Sequence, residues 1–597
     1  MDQHLTPRTT PVTDGAAARR IVIVGGVAGG MSAAARARRN DERAEIIVLE
    51  KSEHVSFANC GLPYHLSGEI ERRDDLLLHT PQSLARALDL DVRTRHEVVA
   101  VDPAAQAVTV RGPHGEHQIG YDALLLAPGG VAVRPPIDGL DHPAVHTLRT
   151  IPDVDALRAE VDRITSAQTP GAAPRAVVVG AGFIGLEAVE ALTARGVRVD
   201  LVELADQVLP PLDAELAPLL ADELADHGVG LHLGVSAQSV HPAADSHRVT
   251  VALSDGTRLA ADLVVVNVGV RPAGDLAREA GLDTGPTGAI TVDADQRTSD
   301  PHIWAVGDAV EVVHAVTGAV GPVPLAGPAN RQGRRAADSM TGRRTTPQAT
   351  VLGTAIVRVF GLTAAVTGAS QATLRQAGIA HEVVHLHPAH HAGYYPGAET
   401  MHLTASFAPD GRLLGAQAVG RSGVDKRIDV LATALRAEMT ADDLAELELA
   451  YAPPYGSAKD PVNMLGFVAQ NVLSGAMPQW QAWDLDEALR TSLVLDVRSA
   501  AEFAAGHLDG ALNIPHTELR ARLDEVLEAA DGRPVKVHCA SGVRSYLATR
   551  ILLAHGVDAS NLSGGWLTLE AARRSAAPLP PRVPTTRVTN DPEEIPA

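Results

Sequence analysis

Cysteine is nearly absent from this chain: 597 residues hold two, Cys60 and Cys539. No C-x-x-C pair occurs, which excludes metal sites built on cysteine pairs. One disulfide would not hold together a chain of this size. The first twenty residues contain no apolar run, so no signal peptide is expected. The longest apolar stretches, such as Leu263 to Val266, have strand length and are too short to span a bilayer. A cytoplasmic protein is the expectation. Aromatic residues make up only 3% of the chain, so each Tyr or Trp inside a motif carries information. Positive charge is also short, with 51 Lys and Arg against 72 Asp and Glu and a net charge of −21. That balance argues against nonspecific nucleic-acid binding and against attraction to anionic membranes. An anionic ligand would need a local basic patch.

What remains is the composition of an ordered protein, 45% hydrophobic and 21% charged. Its length implies about three to five domains. The first 18 residues and the Pro-rich tail from residue 576 read as disordered. Ile21–Val24 is an apolar strand followed by glycines, an alanine-rich helix from Met31, and a strand Ile46–Leu49 ending at Glu50. A second βαβ unit runs from Ala176–Val179 to Glu203. Two such units imply two nucleotide ligands. Tyr121–Gly130 is an apolar strand breaking at Pro-Gly, and Asp262–Pro272 echoes it after the second unit. That pairing suggests one nucleotide domain inserted into another.

The second glycine fingerprint is complete, with Gly180, Gly182 and Gly185 between a strand and a helix. Glycines permit the tight turn and let backbone N–H groups approach a pyrophosphate at the helix N-terminus. Glu203 ends the next strand, where a carboxylate can accept from a ribose 2′-OH. It would repel a 2′-phosphate, so NADH is expected over NADPH. The first fingerprint is imperfect: Gly25 and Gly30 fit, Val27 replaces the middle glycine, and Glu50 supplies the acid. Asp308, after Gly307 in HIWAVGDAV, is placed to bond a flavin ribityl chain, although an aspartate there is also an ordinary helix N-cap. Gly129, at the break of Tyr121–Gly130, is assigned to the same flavin site.

A lone cysteine is most often a small buried hydrophobe. Here both cysteines sit in glycine-containing loops, which favours chemistry. The stretch SFANCGLPY, from Ser56 through Cys60 to Tyr64, follows the first βαβ unit. With IVIVGGVAGGMSAAARARR, GAGFIGLE, YYPGA and LAYAPPYGSAKDPVNM, it resembles the coenzyme A-disulfide reductase branch of the pyridine nucleotide-disulfide oxidoreductases, from about Arg20 to Asn471. The resemblance implies FAD, a nicotinamide cofactor, and coenzyme A as substrate or bound thiol. Val55 and His65 stand where a second redox cysteine would sit on either side of Cys60, so the oxidised partner must come from outside. A mixed disulfide of Cys60 with a small thiol fits, leaving a Cys60 thiolate whose pKa the site is expected to lower.

The same resemblance implies that Arg36, Arg39, Ser56 and Asn59 help bind coenzyme A. It also implies that Asn330 is a pocket position and Lys459 a substrate contact. Read from residues alone, Arg36, Arg38 and Arg39 form a basic cluster suited to phosphates, or a solvated helix face. The base that the family often places near position 88 is replaced by Leu88. Tyr395 and Tyr451 match tyrosines that reach the active site from the partner subunit, which would make a homodimer the complete enzyme. As plain sequence, the bland reading of each is a core residue. Glu187 resembles a glutamate near the nicotinamide and flavin, or is a helix surface charge. NADH peroxidases and oxidases of the same branch carry a similar lone cysteine and a histidine in the first glycine loop. Ala28 occupies that position here, which weighs against peroxide or oxygen as the main substrate.

From Ser492 to Leu569 the chain is similar to a single-domain rhodanese. It has SLVLDVR, Gly506-His507-Leu508, the loop Cys539-Ala-Ser-Gly-Val-Arg544-Ser545, and Gly564-Gly565-Trp566. Such a loop turns backbone N–H groups toward the cysteine sulfur, and Arg544 orients a sulfur donor. A C-x5-R phosphatase loop would be wider; C-x4-R suits a single sulfur atom.

The expected fold is α/β, with two Rossmann-like dinucleotide-binding domains, one inserted in the other. An α+β dimerisation domain and a C-terminal α/β rhodanese-like domain follow. The boundaries are 19–145 and 271–345 for the FAD-binding domain, 146–270 for the NAD-binding domain and 346–471 for dimerisation. Residues 472–483 form a linker and 484–575 the rhodanese domain. The expected activity is NADH-dependent reduction of coenzyme A disulfide, coenzyme A persulfide or polysulfide through Cys60, with Cys539 carrying sulfane sulfur. The alternatives are an NADH oxidase or peroxidase, and a sulfur carrier or redox sensor with little turnover.

Overall fold

The computed structural model describes residues 18–166, 173–243 and 248–575. All but one of the residues read as disordered ends lie outside the described residues. The first sheet is parallel, in the order Ile303–Ala305, Ala123–Leu126, Arg20–Val24, Glu45–Glu50 and Asp91–Thr94. Its central strands are almost continuously apolar because helices or other layers cover both faces. Ile21, Val22, Ile23, Leu124 and Leu125 have no exposed surface. A second parallel sheet repeats the design with Gly230–Leu233, Arg198–Glu203, Arg175–Val179, Leu263–Val266 and Val145–His146.

The first sheet takes its edge strand Ile303–Ala305 from beyond the whole second sheet. Where the chain leaves and returns, Gly130–Ala132 and Val270–Pro272 pair antiparallel as a two-stranded ribbon. This is the insertion that the echo between Tyr121–Gly130 and Asp262–Pro272 suggested. The helices Ala28–Asn40 and Ala326–Met340 cross closely: a Cβ on Gly333 would lie 2.2 Å from the Gly29 carbonyl oxygen.

Residues 355–420 form a five-stranded antiparallel sheet, ordered Ala355–Val359, Leu362–Gly368, Leu413–Gly420, Met401–Phe407 and Glu382–Leu386. Helices Val424–Arg436 and Pro461–Leu473 pack with it. The last sheet is parallel, ordered Gln479–Trp480, Ala559–Leu562, Val535–His538, Leu493–Asp496 and Leu512–Asn513.

That order corrects the expected linker at 472–483. Gln479–Trp480 is the edge strand of the C-terminal sheet, and the Trp480 side chain is 2% exposed in its core. Burying an indole of this size outweighs the entropy gained by a free tether. Gln479 and Gln481 each donate from Nε2 to the Val383 carbonyl, at 2.8 and 3.0 Å. The C-terminal sheet is thus docked on the antiparallel one. Farther along the same joint, His385 Nδ1 lies 2.9 Å from Ser563 Oγ and its Nε2 lies 2.6 Å from Glu215 Oε1. His387 Nε2 lies 2.8 Å from Thr568 Oγ1.

Candidate functional site

Three clefts follow from these sheets. At the first, Gly25 adopts φ +99, and a Cβ there would meet the Ala127 carbonyl oxygen at 2.2 Å. Only glycine permits that turn. It opens the helix Ala28–Asn40, whose N-terminus has no side-chain cap and no acidic residue in its first turn. Uncapped N–H groups at a helix N-terminus suit a pyrophosphate. Glu50 is buried and accepts from the N–H groups of Gly26 and Ser52 at 2.8 and 2.7 Å. The second cleft repeats this. Gly180 has φ +103, a Cβ on Gly182 would meet nothing within 4 Å, and helix Phe183–Ala194 also starts uncapped. Glu203 accepts from the N–H groups of Ala181 and Ala205 at 2.6 and 2.9 Å. Both clefts therefore fit a dinucleotide.

Cys60 sits in the short turn Asn59–Gly61 that leads into helix Leu62–Ser67, and it is exposed. The loop before it is anchored to the first glycine turn, since the Ser56 N–H donates to the Gly26 carbonyl at 2.7 Å. Ser56 itself has φ +47, a left-handed conformation that costs a non-glycine residue energy and is held by its surroundings. Asn59 is exposed beside the cysteine.

Burial pushes the Cys60 thiol up, and the Glu187 and Asp308 carboxylates push it further, against a smaller lowering from a backbone hydrogen bond. This corrects the expectation of a lowered pKa: carboxylates, not cations, face the thiol from the protein side. Glu187 is itself raised to about 7 by burial. It accepts a 3.3 Å hydrogen bond from Tyr64 OH, so it is no solvated helix charge. Burial and Glu187 in turn raise Tyr64 to about 12. The Arg358 guanidinium lies 5.3 Å from the Tyr64 ring centre and donates to Glu190 at 2.9 Å and to Glu69. Asp308 is raised by burial and lies 3.6 Å from Arg149. A Cβ on Gly129 would lie 4.0 Å from the same guanidinium. Asp308 therefore sits in a cleft with a cation.

Tyr64, Arg149 and Arg358 were not singled out in the sequence. Tyr64 alone left a trace, as the last residue of SFANCGLPY.

The basic cluster resolves into three different roles. Arg38 is buried and donates to the carbonyls of Leu88, Glu42 and Asp89 at 2.9, 2.7 and 2.7 Å, so it is a structural pin and no phosphate ligand. Arg36 donates to both carboxylate oxygens of Asp338, at 2.7 and 3.2 Å. Arg39 is exposed. Asn330, also exposed, accepts from Ser32 Oγ and lies on the neighbouring helix.

Tyr395 and Tyr451 are 40% and 49% exposed, so neither is a core residue. Tyr395 packs edge-on to His391 at 5.4 Å, and Tyr451 OH lies 3.3 Å from Tyr394 OH. Among the described residues no hydrogen bond or ring contact joins either to the Cys60 loop, and Lys459 is exposed on the same segment as Tyr451.

In the third cleft Cys539 ends the strand Val535–His538 and is 1% exposed. Gly542, at φ +91, opens helix Val543–Ala554 behind it. The Ser545 hydroxyl donates to Cys539 Sγ at 3.2 Å. Arg544 pairs with both oxygens of Glu502 at 2.7 and 2.6 Å and thereby holds that carboxyl far below its usual range. The Trp566 N–H donates to the Cys539 carbonyl at 2.7 Å. A Cβ on Gly565 would meet that same oxygen at 2.6 Å, which explains the glycine. His538 is fully buried, stacked on Trp566, and lowered to about 4 by burial.

Residues 19–327 match the family model "Pyridine nucleotide-disulphide oxidoreductase" and 354–461 its dimerisation domain. Residues 477–572 match a rhodanese-like domain. A coenzyme A disulfide reductase of Staphylococcus haemolyticus is 36% identical over 435 residues, 72% of this chain and 95% of that protein. The crystal structure of reduced Bacillus anthracis CoADR-RHD aligns with a TM-score of 0.89 at 40% identity, covering 94% of this chain and 99% of that one. A NAD-dependent persulfide reductase from A. fulgidus aligns with a TM-score of 0.85 at 36% identity, covering 92% and 99%. The chain belongs to the pyridine nucleotide-disulphide oxidoreductase family, and carries that family's dimerisation domain and a C-terminal rhodanese-like domain.

Proposed function

We propose that the protein is a homodimeric, NADH-dependent flavoprotein that reduces coenzyme A disulfide or coenzyme A persulfide through Cys60, with Cys539 supplying sulfane sulfur. The observation that carries this reading is an exposed lone cysteine between the two nucleotide clefts, next to Glu187 and Asp308, in a chain with no other cysteine but Cys539. The names of the three relatives reported above support it.

Bound FAD would supply two-electron transfer between NADH and sulfur. Gly25, Gly30, Glu50, Gly129 and Asp308 would hold FAD; Gly180, Gly182, Gly185 and Glu203 would hold NADH. The Cys60 thiolate attacks the thiol-bearing sulfur of a coenzyme A persulfide. A Cys60–coenzyme A disulfide forms and hydrosulfide leaves. Two electrons and one proton then cleave that disulfide to a Cys60 thiolate and free coenzyme A. The sum is one persulfide and one NADH giving coenzyme A, hydrosulfide and NAD+. With coenzyme A disulfide, the first leaving group is coenzyme A thiolate instead.

Cys60 faces carboxylates, so its thiolate is not stabilised by the protein's own charges. A Glu187–Tyr64 pair that keeps a proton near neutral pH limits that repulsion. Tyr395, Tyr451 and Lys459 are exposed and would complete the site of the partner subunit.

The test is anaerobic NADH consumption with coenzyme A disulfide and coenzyme A persulfide offered in parallel, with sulfide assayed. Fast persulfide turnover with stoichiometric sulfide is the expected result. Turnover of the disulfide alone would make the protein a thiol-pool reductase and overturn the role given to Cys539.

A further inference from the structure

The cleft around Cys539 holds a cation whose charge is already balanced. Arg544 is close enough to interact with the Cys539 sulfur. Hydrogen bonding to Glu502 pushes the guanidinium up, burial opposes this, and the sulfur adds to the rise. The same guanidinium is closed by Glu502, with Nη1 donating to Oε2 at 2.7 Å and Nη2 to Oε1 at 2.6 Å. A fork on a carboxylate is the strongest geometry open to arginine.

Glu502 is held in place from its other side. Its Oε2 also accepts from the N–H and the hydroxyl of Ser499, at 3.0 and 2.8 Å. The Glu502 N–H donates back to Ser499 Oγ at 3.3 Å, which completes a capping box at the start of helix Ala500–Ala505. The carboxylate is thus ordered independently of Arg544, and pairing costs little further side-chain entropy. The two side chains are 38% and 29% exposed, so a dissolved donor meets the pair as it arrives.

The other cations around the loop carry no free charge toward it. Arg498 is buried, donates to both oxygens of Asp496 at 3.0 and 2.6 Å and to the Gly506 carbonyl at 2.7 Å, and lies 4.4 Å from the Trp566 ring centre. His538 precedes Cys539 and is neutral at neutral pH, since burial lowers it to about 4. What supports the sulfur is the Ser545 hydroxyl at 3.2 Å and the uncapped start of helix Val543–Ala554. Those groups suit one negative charge on a sulfur atom. They leave a second charge on a donor unbalanced.

We infer that Glu502 sets the donor class of Cys539: by occupying Arg544 it selects organic persulfides over dianionic donors such as thiosulfate. This rests on the sulfur-carrying role proposed above for Cys539. In the selected reaction the Cys539 thiolate attacks the outer sulfur of a persulfide anion. The donor S–S bond breaks, a Cys539 persulfide anion forms, and a thiolate leaves with one charge. With thiosulfate the leaving group is sulfite, which carries two charges on three oxygens and calls for a free guanidinium fork. Glu502 acts here through Arg544, as a positioning residue.

The experiment uses the flavin-loaded full chain. Thiocyanate formed from cyanide is measured with thiosulfate or glutathione persulfide as the donor, and the rate of Cys539→Ala is subtracted for each. The variants are Glu502→Gln, which keeps an acceptor for Ser499, and Glu502→Gln/Arg544→Gln. Glu502→Gln is expected to raise kcat/KM for thiosulfate, relative to glutathione persulfide, by roughly ten-fold or more. The double variant should lose that gain, because the freed guanidinium is gone. A merely structural role for Glu502 would lower both donors together and leave the ratio where it was. An unmoved ratio in Glu502→Gln, or a wild type that uses thiosulfate as well as the persulfide, would overturn the inference. A wild type no faster than Cys539→Ala with either donor would overturn the sulfur-carrying role, and the inference with it, while leaving reduction at Cys60 standing.

Discussion

At the scale of single residues, the environment of Cys60 is the point on which the chemistry turns. Glu187 and Asp308 both disfavour the thiolate, after burial. Glu187→Gln removes one of those charges and keeps a hydrogen-bond partner for Tyr64. The Cys60 pKa is expected to fall, since a like charge that opposes the thiolate is removed. The pH profile of alkylation by iodoacetamide, read on the Cys60 peptide, checks this; an unmoved profile contradicts it. Cys60, Glu187 and Asp308 were legible in the sequence because each sits in a short motif. Tyr64 OH on Glu187 was not, because the two residues are 123 positions apart and meet only when helix Leu62–Ser67 packs on Phe183–Ala194. Arg358 was still less visible: it arrives on a strand of another domain. The same limit explains Arg38, whose charge pattern matched a phosphate patch while its side chain turned inward. Sequence records which residues are charged, and packing decides which of them face a ligand.

At the scale of elements, the joint between the sheets holds a buried polar cluster. Asp213 accepts from the Gln371 N–H at 2.9 Å, and Glu215 accepts from Gln371 Nε2 at 2.5 Å and faces His385. Burial pushes Asp213 up, and the Glu215 charge pushes it further, with hydrogen bonds from Gln371 and then the Arg375 charge acting against them. Glu215 is held low by His385 against its burial. The two act on stability with opposite sign. Asp213 keeps its proton in the fold where the unfolded chain has lost it. Its contribution is complete in acid, below the unfolded pKa, and is lost as pH rises toward the raised folded value. This one group lowers stability by up to about 1.4 kcal/mol per pH unit across that window. Asp213→Asn keeps the acceptor for Gln371 and removes the slope. The midpoint of thermal unfolding is expected to fall less between pH 5.5 and pH 8 in the variant than in wild type; parallel falls would refute the assignment. The strands and glycine turns of the two nucleotide sheets were legible from apolar runs and fingerprints. The strand Gln479–Trp480 was not, because two residues carry no periodicity, and only the buried indole marks them.

At the scale of the whole molecule, the two cysteines belong to different domains of one chain, one exposed and one buried. The rhodanese-like domain is docked through Val383, His385 and His387 on the sheet whose continuation carries Tyr394 and Tyr395. If Cys539 feeds the reductase site, Cys539→Ala should lower turnover of inorganic polysulfide at least several-fold and leave coenzyme A disulfide turnover unchanged. Equal polysulfide turnover in variant and wild type would detach the second domain from the reaction. In the proposed chemistry Cys60 takes its oxidised partner from outside the chain. The most direct measurement is the intact mass of the protein after anaerobic exposure to coenzyme A disulfide, with peptide mapping before and after NADH. One coenzyme A adduct per chain is expected, located on Cys60 and released by NADH. An unmodified Cys60, or an adduct that NADH cannot remove, would contradict it.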